Sequence, residues 1–215
     1  MQEPTDRPEM RMAELARRSD LSVPTLKYYL REGLLQPGRR TSVNQAVYDR
    51  THLERLRLIR AMTSVAGLPL AKVRAVVGAV DGQASEIEAM GVTQDALVGE
   101  AETDDAAASA ILGRAITARG WRCATSSPAY RAAVNAVAML SEEGLTPLLD
   151  RLDAYVEAAE VVGRTDLDAI GDAVSMEERI RGVVLGSVLR TPLLEALVLL
   201  AQQHFAQDLT RSEES

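Results

Sequence analysis

The chain has 215 residues, 47% of them hydrophobic, and carries 24 Lys+Arg against 31 Asp+Glu for a formal net charge of −7. That length suits one or two domains, and an Ala-, Leu- and Val-rich composition suits a packed helical core. The single cysteine, Cys123, leaves no internal disulfide and no cysteine metal cluster within one chain, so neither a metal nor a cofactor is expected.

The charge is unevenly placed. Residues 1–77 hold 14 basic against 8 acidic residues, a net of +6, whereas residues 78–215 hold 10 against 23, a net of −13. An acidic whole thus hides a basic N-terminal part, and the local field, not the total, governs approach to a polyanion.

Met12, Leu15 and Ala16 repeat at the spacing of one buried helical face, with Glu14, Arg17 and Arg18 opposite. Ser19-Asp20 breaks this first helix, and Leu21 plugs the turn. Ser22 is a suitable N-cap for a second helix, and Pro24 sits in its first turn, where a missing N–H costs nothing. Val23, Leu26 and Leu30 form the apolar stripe of that helix. Thr25, Lys27, Tyr28 and Arg31 point elsewhere, and Gly33 is a natural stop. A short helix with a cationic, aromatic outer face suits the major groove.

Residues 34–48 lose the helical period. Pro37-Gly38 signals a turn, Arg39-Arg40-Thr41 is a compact set of phosphate donors, and Val43 and Val47 suggest two extended arms, hence a β-hairpin wing with Thr41 and Asn44 as further contacts. Asp49-Arg50-Thr51 then caps a third helix. Its inner stripe is Leu53, Leu56, Ile59 and Met62, with Arg55, Arg57 and Arg60 as charges on its outer face. Gly67-Leu68-Pro69 ends it, and Leu70, Val73, Val76 and Val77 mark a fourth helix.

This order of helix-turn-helix, wing and helix pair resembles the MerR family of transcriptional regulators over roughly residues 10–80. The resemblance is carried by E-L-A in the first helix, the Tyr28-Tyr29 pair followed by E-G-L-L in the second, and V-A-G-L-P-L before the fourth. It implies a homodimeric winged-helix activator or repressor on a two-fold-related promoter site, with the DNA between half-sites open to distortion and RNA polymerase as a possible neighbour at the promoter. Tyr28 and Tyr29 match the family's tyrosine pair, and Arg39 and Arg40 its wing. Tyr29 has a second reading, as a ring packed between helices. Three positions depart from the pattern: Lys27 replaces the usual arginine, Ala46 stands where an arginine phosphate contact is expected, and Leu30 where an acidic residue is common. Ser64 lies near where some members carry a basic residue. Arg39, Arg40, Arg50 and Arg60 are available to compensate.

Beyond residue 80 the pattern is helical throughout, without strands or repeats. Residues 81–102 read as a junction, with one helix across Ser85 to Met90 and another capped by Thr93 through Glu100. Residues 103–212 read as an all-helical effector or dimerisation domain. Thr103-Asp104-Asp105 starts a helix to about Arg119, Ser127-Pro128 another to Gly144, and Thr146-Pro147 a third to about Val162. A break at Gly163–Asp166 leads to a minor helix around Leu167 to Ile170. Two apolar helices close the chain, Ser175 to Leu189 and Pro192 to Leu209. Both are apolar around most of their circumference, so they belong either at the centre of the bundle or in a subunit interface. The polar N-terminus, with Pro4 and Pro8, does not read as a signal peptide. The stretch from Val183 to Leu200 comes nearest to the ~18 apolar residues of a membrane span, but Arg190, Thr191, Pro192 and Glu195 interrupt it. The expectation is a cytoplasmic chain with no membrane contact.

Trp121, Tyr130, Tyr155, His204 and Phe205 are the residues of this half suited to an effector pocket, each with an ordinary core role as its rival. Neither isolated histidine, His52 or His204, suggests a metal site. No paired carboxylate–histidine set, nucleophile elbow or phosphate loop points to an enzyme. The predicted fold is mainly α, an N-terminal winged helix-turn-helix with a small β-hairpin wing followed by a helical bundle. The predicted function is a regulator of transcription binding double-stranded promoter DNA as a homodimer, modulated by a small-molecule effector. The competing reading is a DNA-tethered module whose helical domain recruits a protein.

Overall fold

The computed structural model describes residues 9–42, 45–82, 84–98 and 105–213, the side chains of 207–213 excepted. The fold is mainly α with one small hairpin. Helices α1 (Met12–Ser19) and α2 (Val23–Arg31) precede strands β1 (Arg39–Ser42) and β2 (Gln45–Val47). Then follow α3 (Arg50–Arg60), which continues into a π-helical turn (Ala61–Val65), α4 (Leu70–Asp81) and α5 (Glu86–Leu97). Helices α6 (Ala106–Ala118), α7 (Pro128–Glu142), α8 (Thr146–Leu149), α9 (Leu152–Ala169) and α10 (Met176–Glu213) complete the chain.

Two hydrophobic cores organise these elements. The first gathers Leu15, Leu26, Leu34, Leu35, Leu56, Ile59, Met62, Val73 and Val76, all essentially without solvent contact. Ala89 and Ala96 of α5 and Ile180 and Val184 of α10 join it, so α5, which falls in the residues expected to form a junction, and the first turns of the last helix pack on the N-terminal part. Lys72 reinforces this by donating to the carbonyls of Ala96 (2.9 Å) and Val98 (3.0 Å), at the C-terminal end of α5. The second core is formed by Ala108, Leu112 and Ile116 of α6, Val134, Val137 and Ala138 of α7, and Val156 of α9. Arg119 locks its rim by an ion pair with Glu160 at 2.7 Å.

Several elements run differently from their sequence pattern. Thr93 does not cap a helix. It lies buried inside α5 and its hydroxyl bonds back to the Ala89 carbonyl (2.7 Å), so one helix replaces the expected two. Thr103, Asp104 and Glu100 lie outside the described residues, and Asp105 is the N-cap of α6 through the Ala108 N–H. The break expected at Gly163–Asp166 is absent, because Arg164 and Thr165 each bond one turn back, to Glu160 and to the Val161 carbonyl, and α9 continues to Ala169. The last two helices are one: α10 passes straight through Pro192, flanked by Thr191 bonding the Ser187 carbonyl (2.8 Å) and followed by a run of strong helix formers. The interruption that excluded a membrane span is therefore not a structural one. By length and composition alone, the stretch Met176–Ala206 is long and apolar enough to cross a membrane.

Arg55 overturns another expectation. Instead of decorating the outer face of α3 it is 5% exposed. It forms a two-pronged ion pair with Asp81, at the end of α4, and reaches Glu177 in the first turn of α10 at 3.1 Å. Burial alone would lower its pKa, but these hydrogen bonds and charges outweigh it and raise the value further.

Asp49 shows how the start of α3 is fixed. Its carboxylate accepts from the Thr51 N–H (3.0 Å) and hydroxyl (2.6 Å), and His52 Nδ1 lies 2.8 Å from that carboxylate, to which it donates when protonated, and 3.2 Å from the Asp49 N–H, from which it accepts when neutral at that nitrogen. Burial pushes this carboxyl up, but the hydrogen bonds from Thr51 and His52 and the nearby imidazole prevail and bring its pKa down to about 2. A depressed pKa contributes stability above the unfolded value near 3.9, lost as pH falls through the folded one. Asp49→Ala is therefore expected to remove on the order of 2 kcal/mol at neutral pH. Urea melts of the two proteins should converge as pH drops from about 4 to 2. A gap that persisted unchanged at the acid end would assign the loss to packing instead of charge.

Candidate nucleic-acid interface

The turn between α1 and α2 is set by local chemistry. Asp20 adopts a left-handed conformation (φ 56°), Ser19 is buried with its hydroxyl on the Leu15 carbonyl (2.7 Å), and the Leu21 N–H returns to the Ala16 carbonyl (3.1 Å). Ser22 caps α2 by accepting from the Thr25 N–H (3.1 Å), and the two hydroxyls lie 2.7 Å apart. The N-terminal end of α2 thus displays two hydroxyl side chains, an arrangement suited to base edges or phosphate.

Leu26 is the one fully buried residue of α2. Lys27 and Arg31, one turn apart, are exposed. The Arg31 guanidinium lies 5.3 Å from the centre of the Tyr28 ring, and the Tyr28 and Tyr29 rings lie 5.9 Å apart. Tyr29 is half-buried and packs on the first core. Gly33, at φ 70°, ends the helix.

The wing follows. Strands β1 and β2 pair antiparallel with Arg39 opposite Val47, Arg40 opposite Ala46 and Ser42 opposite Gln45, with an irregularity at Thr41. Val43 and Asn44 lie outside the described residues. Arg39, Arg40 and Thr41 are exposed. Arg39 pairs with Glu9, and the Thr41 hydroxyl bonds the Gln45 carbonyl (3.3 Å). Among the described residues, no carboxylate pairs with Lys27 or Arg40. Two links anchor the wing: Met10 and Tyr48 exchange backbone hydrogen bonds of 2.8 Å each, and Arg11 reaches the Gln45 side chain. Of the compensating arginines, Arg50 pairs with Glu54 (2.7 Å) and Arg60 with Asp20 (3.2 Å), both exposed pairs of the kind worth little and readily exchanged for phosphate.

The proposed effector residues are not gathered in one place. Trp121 and Tyr130 pack on the second core, and the Tyr130 hydroxyl is engaged by Ser109 (3.1 Å). Tyr155 is exposed on α9, and His204 stacks edge-on against Phe205 near the end of α10. A separate apolar groove of about 610 Å³ runs between α9 and α10. It is lined by Ala159, Val162, Leu194, Val198 and Leu199, with Arg190, Thr191 and Glu195 at its polar edge. None of the five lines it. The sequence concealed this groove because its walls come from two helices whose lining residues lie about thirty positions apart.

Sequence comparison adds three findings. Residues 10–79 match the family model described as MerR HTH family regulatory protein. The chain is similar to SCO5550 from Streptomyces coelicolor A3(2), described from its crystal structure as a proposed transcriptional regulator. The two share 35% identity over 92% of this chain and 96% of that one, with a TM-score of 0.69. No curated relative matches.

Gly38 is the tightest point of the wing. A Cβ there would stand 2.7 Å from the Val47 carbonyl oxygen and 2.8 Å from the buried Tyr48 ring. Backbone and a core ring cannot yield cheaply, so Gly38→Ala is expected to cost about 1–3 kcal/mol. The melting temperature should fall by several degrees. An unchanged melting curve would mean that the wing base is looser than this geometry.

Proposed function

The chain belongs to the MerR family of helix-turn-helix regulatory proteins and is a DNA-binding transcriptional regulator, and on that footing we propose that it acts as a homodimer on a two-fold-related promoter operator. The observation that carries the reading is the exposed α2, capped by Ser22 and bearing Thr25, Lys27, Tyr28 and Arg31, followed directly by a wing bearing Arg39, Arg40 and Thr41. In this reading α2 enters the major groove, with Thr25, Lys27 or Tyr28 on base edges, while Arg39, Arg40, Thr41 and Asn44 hold phosphate. Residues 10–80 form the DNA-binding unit, 81–102 the junction and 103–212 the effector and dimerisation unit. RNA polymerase is the neighbour expected at the promoter.

The homodimer draws its support from α10. Leu189, Leu193, Leu197, Val198, Leu199 and Leu200 are each 49–59% exposed, a concentration of apolar side chains that water does not tolerate well. Leu193, Leu197 and Leu200 recur at the spacing of a coiled-coil seam. The first turns of the same helix are buried in the first core through Ile180 and Val184, which supports a soluble, cytoplasmic chain over a membrane-bound one. The groove between α9 and α10 lies within the size range of small-molecule sites and is a better effector pocket than the scattered Trp121, Tyr130, Tyr155, His204 and Phe205. A regulator without catalysis is supported by the histidines: His52 is consumed in the cap of α3, and His204 stacks on Phe205.

Arg39→Ala combined with Arg40→Ala should weaken binding to specific and scrambled duplexes alike, and lower the salt slope by about 2 in a fluorescence-anisotropy titration. Unchanged affinity would remove the wing from the interface. Leu197→Glu should shift the chain from dimer to monomer in sedimentation velocity. A variant that stayed dimeric would exclude this face of α10. A wild-type monomer that captured a different protein would favour the recruiting-module reading.

A further inference from the structure

Arg55 lies off the wing and α2, yet it is the most deeply buried charge among the described residues. It bridges three elements: its own α3, the C-terminal end of α4 through Asp81, and the first turn of α10 through Glu177. The second of these links spans 122 positions of sequence. It is the polar counterpart of Ile180 and Val184, which seat α10 in the same core. A neighbouring ion pair, Arg179 with Glu86, ties the next turn of α10 to α5. A cavity of about 240 Å³ adjoins the cluster, walled by Gln36, Thr51, His52, Arg55, Asp81 and Glu177. The seat of α10 therefore combines the packed Ile180 and Val184 with directional polar contacts that border open space, so its polar side has room to shift.

We infer that Arg55, with Asp81 and Glu177, is a positioning device that fixes the angle at which the DNA-reading head sits on α10, and thereby the half-site spacing the regulator accepts. The inference rests on the dimer reading. If two copies join through the distal half of α10, each head is carried on the proximal half, and a small rotation at the seat becomes a displacement of α2 along the DNA. Discrimination between spacings then depends on how firmly Glu177 holds Arg55. Asp81 alone keeps the guanidinium paired, so removing Glu177 loosens the seat without leaving a buried charge unmatched.

The test uses Glu177→Ala and the conservative Glu177→Asp in the full chain. The duplexes are first selected from a random library against the wild-type protein. They are then rebuilt with half-site spacing varied one base pair at a time, alongside a duplex bearing a single half-site. The expected result is that Glu177→Ala remains a dimer and binds the single half-site as the wild type does, while its preference for the best spacing over its neighbours falls by at least about fivefold, the lower range of coupling between sites. Glu177→Asp should restore most of that preference. An unchanged spacing profile, or a parallel loss at every spacing and on the single half-site, would overturn the inference and leave the cluster a stability element. A wild-type chain that is monomeric on DNA and indifferent to spacing would instead sink the dimer reading, and this one with it.

Discussion

A guanidinium taken out of water must be answered by carboxylates within hydrogen-bond reach, and Arg55 makes this demand at the centre of the molecule. Its desolvation is offset chiefly by the two-pronged pair with Asp81, and Glu177 adds a third contact from another helix. Replacing a buried pair with apolar groups is often harmless, but removing one partner strands the other charge at a cost of several kcal/mol. The cluster thus constrains geometry more than it contributes stability: α4 must end, and α10 must begin, where their carboxylates meet the same side chain. The return of α10 to the N-terminal core is shared between that convergence and the burial of Ile180 and Val184, while α5 is held beside it by Lys72 and by the Arg179–Glu86 pair.

The distal part of α10 has the opposite character. From Leu189 to Phe205 it presents large apolar side chains to solvent on several faces. The two ends of one helix thus answer to different partners. The proximal end is satisfied within the chain, by Ile180, Val184 and Glu177, whereas the distal end faces α9 across a groove. A helix with this division is suited to joining the N-terminal unit to an assembly, because one continuous element carries both contacts.

The candidate interface is built almost wholly from short-range chemistry. The Ser22 cap, the left-handed Asp20, the stop at Gly33 and the Asp49–His52 reciprocal cap each depend on residues within four positions of one another. The hairpin is held at its base by Met10, Arg11 and Tyr48 and by the close approach at Gly38. Its departures from the usual family pattern, Ala46 above all, leave Arg39 and Arg40 as the principal cations of the strands.

Local order made most of the N-terminal part legible. Apolar spacing located α1 to α4, the Ser-x-Pro and Asp-x-Thr caps placed the starts of α2 and α3, and Pro37-Gly38 with a β-branched arm marked the wing. Turn and cap chemistry acts over a few residues, so a linear sequence carries it in full. Charge patterning misjudged Arg55 because its partners lie 26 and 122 positions away, and no helical period can announce a contact made by another helix. The same limit explains Thr93, Gly163 and Pro192, where an expected cap or break lies inside a longer helix formed by the residues on both sides of it. The sequence by itself determined the helical composition, the reading head and the presence of an apolar C-terminal helix. Only the tertiary structure decided which end of that helix is buried, what holds it there, and where a groove opens beside it, since each depends on side chains from distant segments meeting in space.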